Sequence, residues 1–158
     1  MLEELSAKVR TGEISPVDLV NESLRRIEAA SSLNAVVVTF ADEARALASS
    51  HPRTGALAGL PFLVKDMARV KGHVTTSGSA LYANGTSDEV DDSVVSRLRE
   101  AGAIIIGRTN SPEFGATAFT SNKVFGATRN PYDLKLTPGG SSGGSVAAVA
   151  AGLVPLAL

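Results

Sequence analysis

Apolar residues recur at helical spacing from the start of the chain, with Leu2, Leu5 and Val9 three and four positions apart. The spacing predicts a short helix over 2–10, ended by a turn at Thr11-Gly12-Glu13. Ser15-Pro16-Val17-Asp18 predicts a second helix start. It offers a capping hydroxyl, a proline at the first helical position where no N–H is needed, and an acid three residues after the cap. Leu19, Val20, Leu24 and Ile27 then form one apolar face through about Ala30. From Asn34 to Phe40 the residues are short and β-branched, which predicts a strand. The alanine-rich, charged stretch from Ala41 to Ser50 predicts a helix, and His51 to Gly59 a loop.

Leu60-Pro61-Phe62-Leu63-Val64 reads as a short apolar strand that runs into Lys65-Asp66. From Arg69 to Glu89 glycine, serine, threonine and asparagine predominate, so this segment is expected to be mostly loop. Asp91-Asp92-Ser93 caps a predicted helix with Val94, Val95 and Leu98 inward, ended by Gly102. Ala103 to Gly107 follows as a buried strand, and the helix–glycine–strand order is that of layered α/β proteins. Thr109 to Leu136 is too long and irregular for a plain connector, which points to functional surface. Residues 152–158 read as the start of a buried strand, where a domain rarely stops. The expectation is therefore one α/β unit over residues 1–158, cut from a larger domain.

Composition narrows the function. The chain has 158 residues, 44% of them apolar, which suffices for a real core. Fifteen basic and 16 acidic side chains leave a net charge of −1 with no basic run, so a grip on nucleic acid through phosphates is not favoured. Cysteine is absent, which excludes disulfides and thiolate-held metal, and His51 and His73 alone make a histidine metal site unexpected. No metal and no cofactor is implied. No apolar run reaches membrane-spanning length and the first residues are acidic, unlike a signal peptide, so a cytoplasmic protein with no membrane partner is the expectation.

The densest chemical signal is Pro138-Gly139-Gly140-Ser141-Ser142-Gly143-Gly144-Ser145, followed by the alanine-rich run from Val146 to Gly152. Small residues let backbone approach a reacting group, and the run behind them is a good helix former, so the loop sits at a helix N-terminus. A phosphate cradle fits poorly, because Ser145 stands where the motif requires lysine. A nucleophile elbow needs a preceding apolar strand and a later histidine, and no histidine follows Ser142. A serine hydrolase with a lysine base remains. Lys65 suits it in kind, because burial disfavours an ammonium and lowers its pKa towards a useful base. The competing account of Lys65 is a strand-end lysine paired with an acid such as Asp66.

Five segments occur in one order: Leu60 to Asp66, Thr75 to Ser79, Gly107 to Phe114, Gly126 to Pro131 and Pro138 to Ser145. Together they closely resemble the amidase signature family, from about residue 2 to Leu158. The resemblance implies the N-terminal portion of that family's α/β/α fold with a central mixed sheet, incomplete in this chain. It implies carboxamide hydrolysis through a Ser–cis-Ser–Lys triad, with Lys65 as the base and Ser141 as the bridging serine after a cis peptide bond. Gly139, Gly140 and Ser142 then support the site. Thr75, Thr76 and Ser77 either line the substrate cleft or close a turn. Asn110 and Glu113 are expected to fix the loop after the isoleucine strand, Arg129 to hold the serine loop or make an ion pair, and Asp66 to orient backbone near Lys65. Ser145 is read as a helix-start residue, and both histidines as surface residues.

In this family the nucleophile lies in a later Gly-Gly-Ser segment, beyond the point where the chain stops. The implied partners are a complementary C-terminal amidase polypeptide carrying that nucleophile and a small-molecule amide, with a homodimer of the complete enzyme as a further association. This chain by itself is expected to be inactive. Two other readings stand beside the amidase. One is the glutaminase subunit of a tRNA-dependent amidotransferase, although Met67 replaces the asparagine usual there. The other is a non-catalytic remnant or scaffold.

Overall fold

Four strands make the central sheet of the computed structural model, which describes residues 2–158. They are β1 (Val36–Thr39), β2 (Pro61–Lys65), β3 (Ile104–Thr109) and β6 (Leu156–Ala157), in the order β1-β3-β2-β6. β3 and β6 run parallel to β2 on either side, and β1 runs antiparallel to β3, so the sheet is mixed. A small hairpin of β4 (Ser121–Asn122) and β5 (Gly126–Ala127) stands apart from it. Five α-helices complete the described residues: α1 (Leu2–Arg10), α2 (Pro16–Ala29), α3 (Ala41–Ser49), α4 (Ser93–Glu100) and α5 (Gly143–Ala150).

Local chemistry accounts for most of these bounds. Ser15 caps α2 by accepting the Val17 N–H (3.2 Å), and Pro16 opens the helix. Val20, Leu24 and Ile27 of α2 are buried with Ala44 and Ala48 of α3 and Ala147 and Ala148 of α5, against Leu63, Ile104 and Ile106. The opposite face of the sheet carries Phe62, Val64 and Ile105, covered by Phe40, Val70 and Val95. Helices thus lie on both faces, and each large apolar side chain removed from water contributes about 1.5–3 kcal/mol before entropy is counted.

Two details of α4 differ from the sequence pattern. Val95 is fully buried but Val94 is exposed, because one position corresponds to about 100° around the helix and only Val95 faces the sheet. Asp92 occupies the N-cap position without capping. Its carboxylate instead accepts the Arg69 N–H (2.8 Å) and pairs with the Arg69 guanidinium (2.9 Å), which ties the loop after β2 to α4.

An irregularity in the β2–β3 pairing decides what the sheet presents to either side. Phe62 pairs with Ile105, but Leu63 pairs with Gly107, so Ile106 is skipped. Past that point Arg108 lies beside Val64 and Thr109 beside Lys65. Arg108 therefore joins the α4 face and Thr109 the α5 face. Among the described residues no helix is long and apolar enough to cross a membrane.

Candidate active site

Lys65 is the last residue of β2, and Ser141 and Ser142 immediately precede α5. Both lie at the carboxyl end of the parallel strands, the edge where open α/β sheets bind ligands. Lys65 Nζ donates to Ser141 Oγ (2.8 Å) and to Ser142 Oγ (3.1 Å). Its amine is half-buried, and burial pushes its pKa below the ordinary lysine range. Among the described residues no carboxylate pairs with Lys65. The neighbouring Asp66 turns to the other face, where it accepts from the Thr76 N–H (3.1 Å), the Thr76 hydroxyl and the Gly78 N–H (3.3 Å). The acid-paired account of Lys65 is not the arrangement found.

The serine loop is braced from several sides. The Gly140–Ser141 peptide bond is cis. The Thr120 hydroxyl donates to the Gly139 carbonyl (2.8 Å), and a Cβ on Gly140 would stand 3.0 Å from the backbone of Thr117 and Phe119. Gly144 lies so close to Asn110 and Ala35 that a side chain there would overlap their backbone. Ser145 is in the first turn of α5 as expected. Its hydroxyl is spent inside the fold, donating to the Leu158 carbonyl (2.5 Å) and accepting from Thr109 (2.7 Å).

The remaining candidates fall around this centre. The Thr75 hydroxyl donates to Asp88 (2.5 Å) and accepts from Arg108 Nη2 (2.8 Å), and Thr76 bonds to Asp66, so the hydrogen bonds of both threonines tie their turn to the sheet, whereas those of Lys65 go to Ser141 and Ser142. Ser77, at φ 51°, accepts the Phe114 N–H through its carbonyl (2.8 Å). Asn110 is fully buried and locks the β4–β5 hairpin, donating to the Gly126 carbonyl (3.1 Å) and Thr128 (3.0 Å). Glu113 accepts from Ser79 (2.7 Å). The Arg129 side chain is exposed and in no ion pair among the described residues, and only its backbone is held, by the Leu33 carbonyl (2.8 Å). His73 is less superficial than its sequence suggests. It stacks on Phe40 with ring centroids 3.6 Å apart and meets Glu43 at 2.8 Å.

Arg108 is the residue that pattern reading missed. Its side chain is 1% exposed and lies 3.7 Å from both Asp66 and Asp88, with Nη1 donating to the Ala68 carbonyl (2.9 Å). The available signal was a charge inside an otherwise apolar strand, since a buried guanidinium implies acids nearby.

A mixed-sheet α/β protein with a lysine amine on paired serines at its strand ends is thus the class that fold and site define. The family model described as Amidase matches residues 18–158, and the chain belongs to the amidase signature family. AmiB2 of Mycobacterium tuberculosis, named as an amidase, is 49% identical over 154 residues, which cover 93% of this chain and 33% of that protein. A glutamyl-tRNA(Gln) amidotransferase subunit of Paraburkholderia xenovorans is 44% identical over 162 residues, covering 99% of this chain and 32% of that protein. The structure of 6-aminohexanoate cyclic dimer hydrolase superposes with a TM-score of 0.92 at 37% identity, covering 99% of this chain and 33% of the other. The chain spans about a third of the length of the curated relatives it matches.

Proposed function

We propose that this chain supplies the lysine base and the bridging serine of a carboxamide hydrolase. The observation that carries the reading is the 2.8 Å contact between Lys65 Nζ and Ser141 Oγ, with no acid among the described residues holding the lysine as an ammonium. In this reading neutral Lys65 accepts the Ser141 hydroxyl proton while Ser141 Oγ takes the proton of the attacking nucleophile. The same two groups return a proton to the amine that leaves as the C–N bond breaks. Ser142 supports Lys65, and Thr75, Thr76, Ser77, Gly139 and Gly140 hold the surrounding loops.

The nucleophile is assigned to polypeptide outside these 158 residues, which are read as the N-terminal part of a single domain. The engagement of Ser145 within the fold supports this, as does the share of the relatives that the chain spans. Oxyanion donors are typically worth about 10²–10³ in rate, and loss of donors and nucleophile together leaves the chain inactive by itself. The test is amine release from simple carboxamides by the 158-residue chain, alone and joined to the remaining amidase polypeptide, with the species present identified by intact mass. Activity only in the joined sample is expected, and equal activity of the isolated chain overturns the reading.

A second reading, the glutaminase subunit of an amidotransferase, is favoured by the 44% identity to such a protein over nearly the whole chain. It predicts ammonia release from glutamine in preference to other amides, with the ammonia passed on to a charged tRNA.

A further inference from the structure

Two buried hydroxyls cross the sheet above β2. Thr109, at the end of β3, is fully buried, and Ser145, in the first turn of α5, is 5% exposed. Ser145 Oγ has a single proton and gives it to the Leu158 carbonyl (2.5 Å), so in its contact with Thr109 Oγ1 (2.7 Å) it accepts. Both bonds therefore run one way, from β3 through α5 to the end of β6. Because the sheet order places β2 between β3 and β6, this brace spans the strand that carries Lys65.

The end of β6 lies level with the amine. Phe62 pairs with Leu156 and Leu63 with Ala157, and the Leu158 N–H continues the ladder on the Leu63 carbonyl (2.9 Å). Carried on in that register, β6 brings Leu158 beside Val64 and its next position beside Lys65, one strand spacing of about 4.8 Å away. On the other flank Thr109 is the residue paired with Lys65. The turn that supplies Ser145 also presents Ser141 and Ser142 to Lys65, and the Val146 N–H closes it on the Ser142 carbonyl (3.0 Å). One turn thus sets both the contact between amine and serine and the exit of β6.

We propose that Thr109 and Ser145 are positioning residues for the reaction: they fix the end of β6, and with it the polypeptide that leaves β6, level with Lys65. The proposal rests on the hydrolase reading above, in which polypeptide outside these residues carries the nucleophile. A hydroxyl buried only to be satisfied would add stability, whereas a hydroxyl that aims this exit sets the distance between the nucleophile and the Lys65–Ser141 pair.

The experiment uses the complete enzyme. Ser145→Ala removes the hydroxyl that meets Leu158, Thr109→Val removes its donor at nearly equal volume, and Thr109→Ser keeps that donor. Ser145→Ala is expected to lower kcat roughly 10–10²-fold, as for a misplaced reacting group, with KM changed less than about twofold. Thr109→Val should act in the same direction and add little to Ser145→Ala, and Thr109→Ser should restore most of the rate. The midpoint of the pH–rate profile should stay where it is, because Lys65 and its two serines are unaltered. A shifted midpoint would assign Ser145 to the amine and overturn the proposal. An unchanged kcat, or a loss that the folded fraction alone explains, overturns it as well. Amide hydrogen exchange reads the brace without chemistry: Ser145→Ala should speed exchange at Leu158 and the residues after it while β2 stays protected. Unchanged exchange there overturns the brace even where hydrolysis succeeds. If the complete enzyme cleaves no carboxamide the hydrolase reading falls, and faster local exchange in Ser145→Ala still supports the hold on β6.

Discussion

Lys65 Nζ lies 2.8 Å from Ser141 Oγ although 76 residues of sequence separate them. β2 ends at Lys65 and α5 begins just after Ser142, so the sheet and the helix packed on it fix the separation without any flexible loop acting alone. Among the described residues an amine held in this way is neither paired with an acid nor fully solvated, which are the two conditions that would keep it a poor base.

Replacement of Lys65 by alanine in the complete enzyme should lower kcat by about 10²–10⁴, the usual range for loss of a positioned general base. Arginine at this position should not rescue it, because a guanidinium stays protonated. Steady-state kinetics with thermal denaturation checks both, and near-normal turnover in either variant would remove Lys65 from the mechanism.

The pH dependence follows from the lowered pKa of Lys65, whose cause is burial. Between that lowered value and about 10.4 the unfolded chain binds more protons at this site than the folded one, so stability rises with pH there. The destabilising effect of the buried ammonium is complete below the folded pKa and vanishes above the unfolded one. A Lys65→Met variant lacks the ammonium, so its Tm advantage over the unaltered protein should shrink as pH climbs through this window. In the same window kcat/KM of the complete enzyme should rise to a plateau as Lys65 loses its proton. A Tm difference independent of pH would contradict the assignment.

Local signals that act over a few residues were legible in the sequence. Ser15-Pro16 marked the start of α2, the isoleucine run marked β3, and the glycine–serine run marked the turn into α5. What stayed hidden depends on parity or on distant pairing. Strict alternation from Ile104 puts Arg108 on the face of Ile106, and only the skipped residue in the β2–β3 pairing moves it to the face of Asp66. Thr75 meets Asp88 and Arg108, 13 and 33 residues away, a pairing that no periodicity encodes. The left-handed backbone of Phe114 was hidden for a related reason, since its N–H is held by the carbonyl of the distant Ser77.

Arg108 should matter for stability more than its place at a strand end suggests. Arg108→Met leaves Asp66 and Asp88 without their buried cation and removes bonds to Ala68 and Thr75. A loss of roughly 3–5 kcal/mol is expected, as for other broken buried pairs. Denaturant unfolding measures it, and limited proteolysis should cut first between residues 66 and 92. Lysine should not restore it, because an ammonium lacks the fork that reaches both partners. A change below about 1 kcal/mol, the size of a surface pair, would show that the network is incidental.

Gly144 offers a test that separates the geometry of the site from its chemistry. α5 approaches β1 and β3 so closely there that a methyl group would overlap the backbone of Asn110 and Ala35, atoms that no rotamer change can move. Overpacking commonly costs about 1–3 kcal/mol, and Gly144→Ala should fall at the upper end of that range or beyond. It should also tilt the start of α5, which carries Ser141 and Ser142 away from Lys65. The expected result is a fall in kcat of the complete enzyme well below what the folded fraction explains. Ala150→Gly at the exposed far end of the same helix is the control, losing about 1 kcal/mol through backbone entropy without shifting the serines. Equal effects of the two substitutions on kcat per folded molecule would mean that the close approach at Gly144 does not set the Lys65–Ser141 separation.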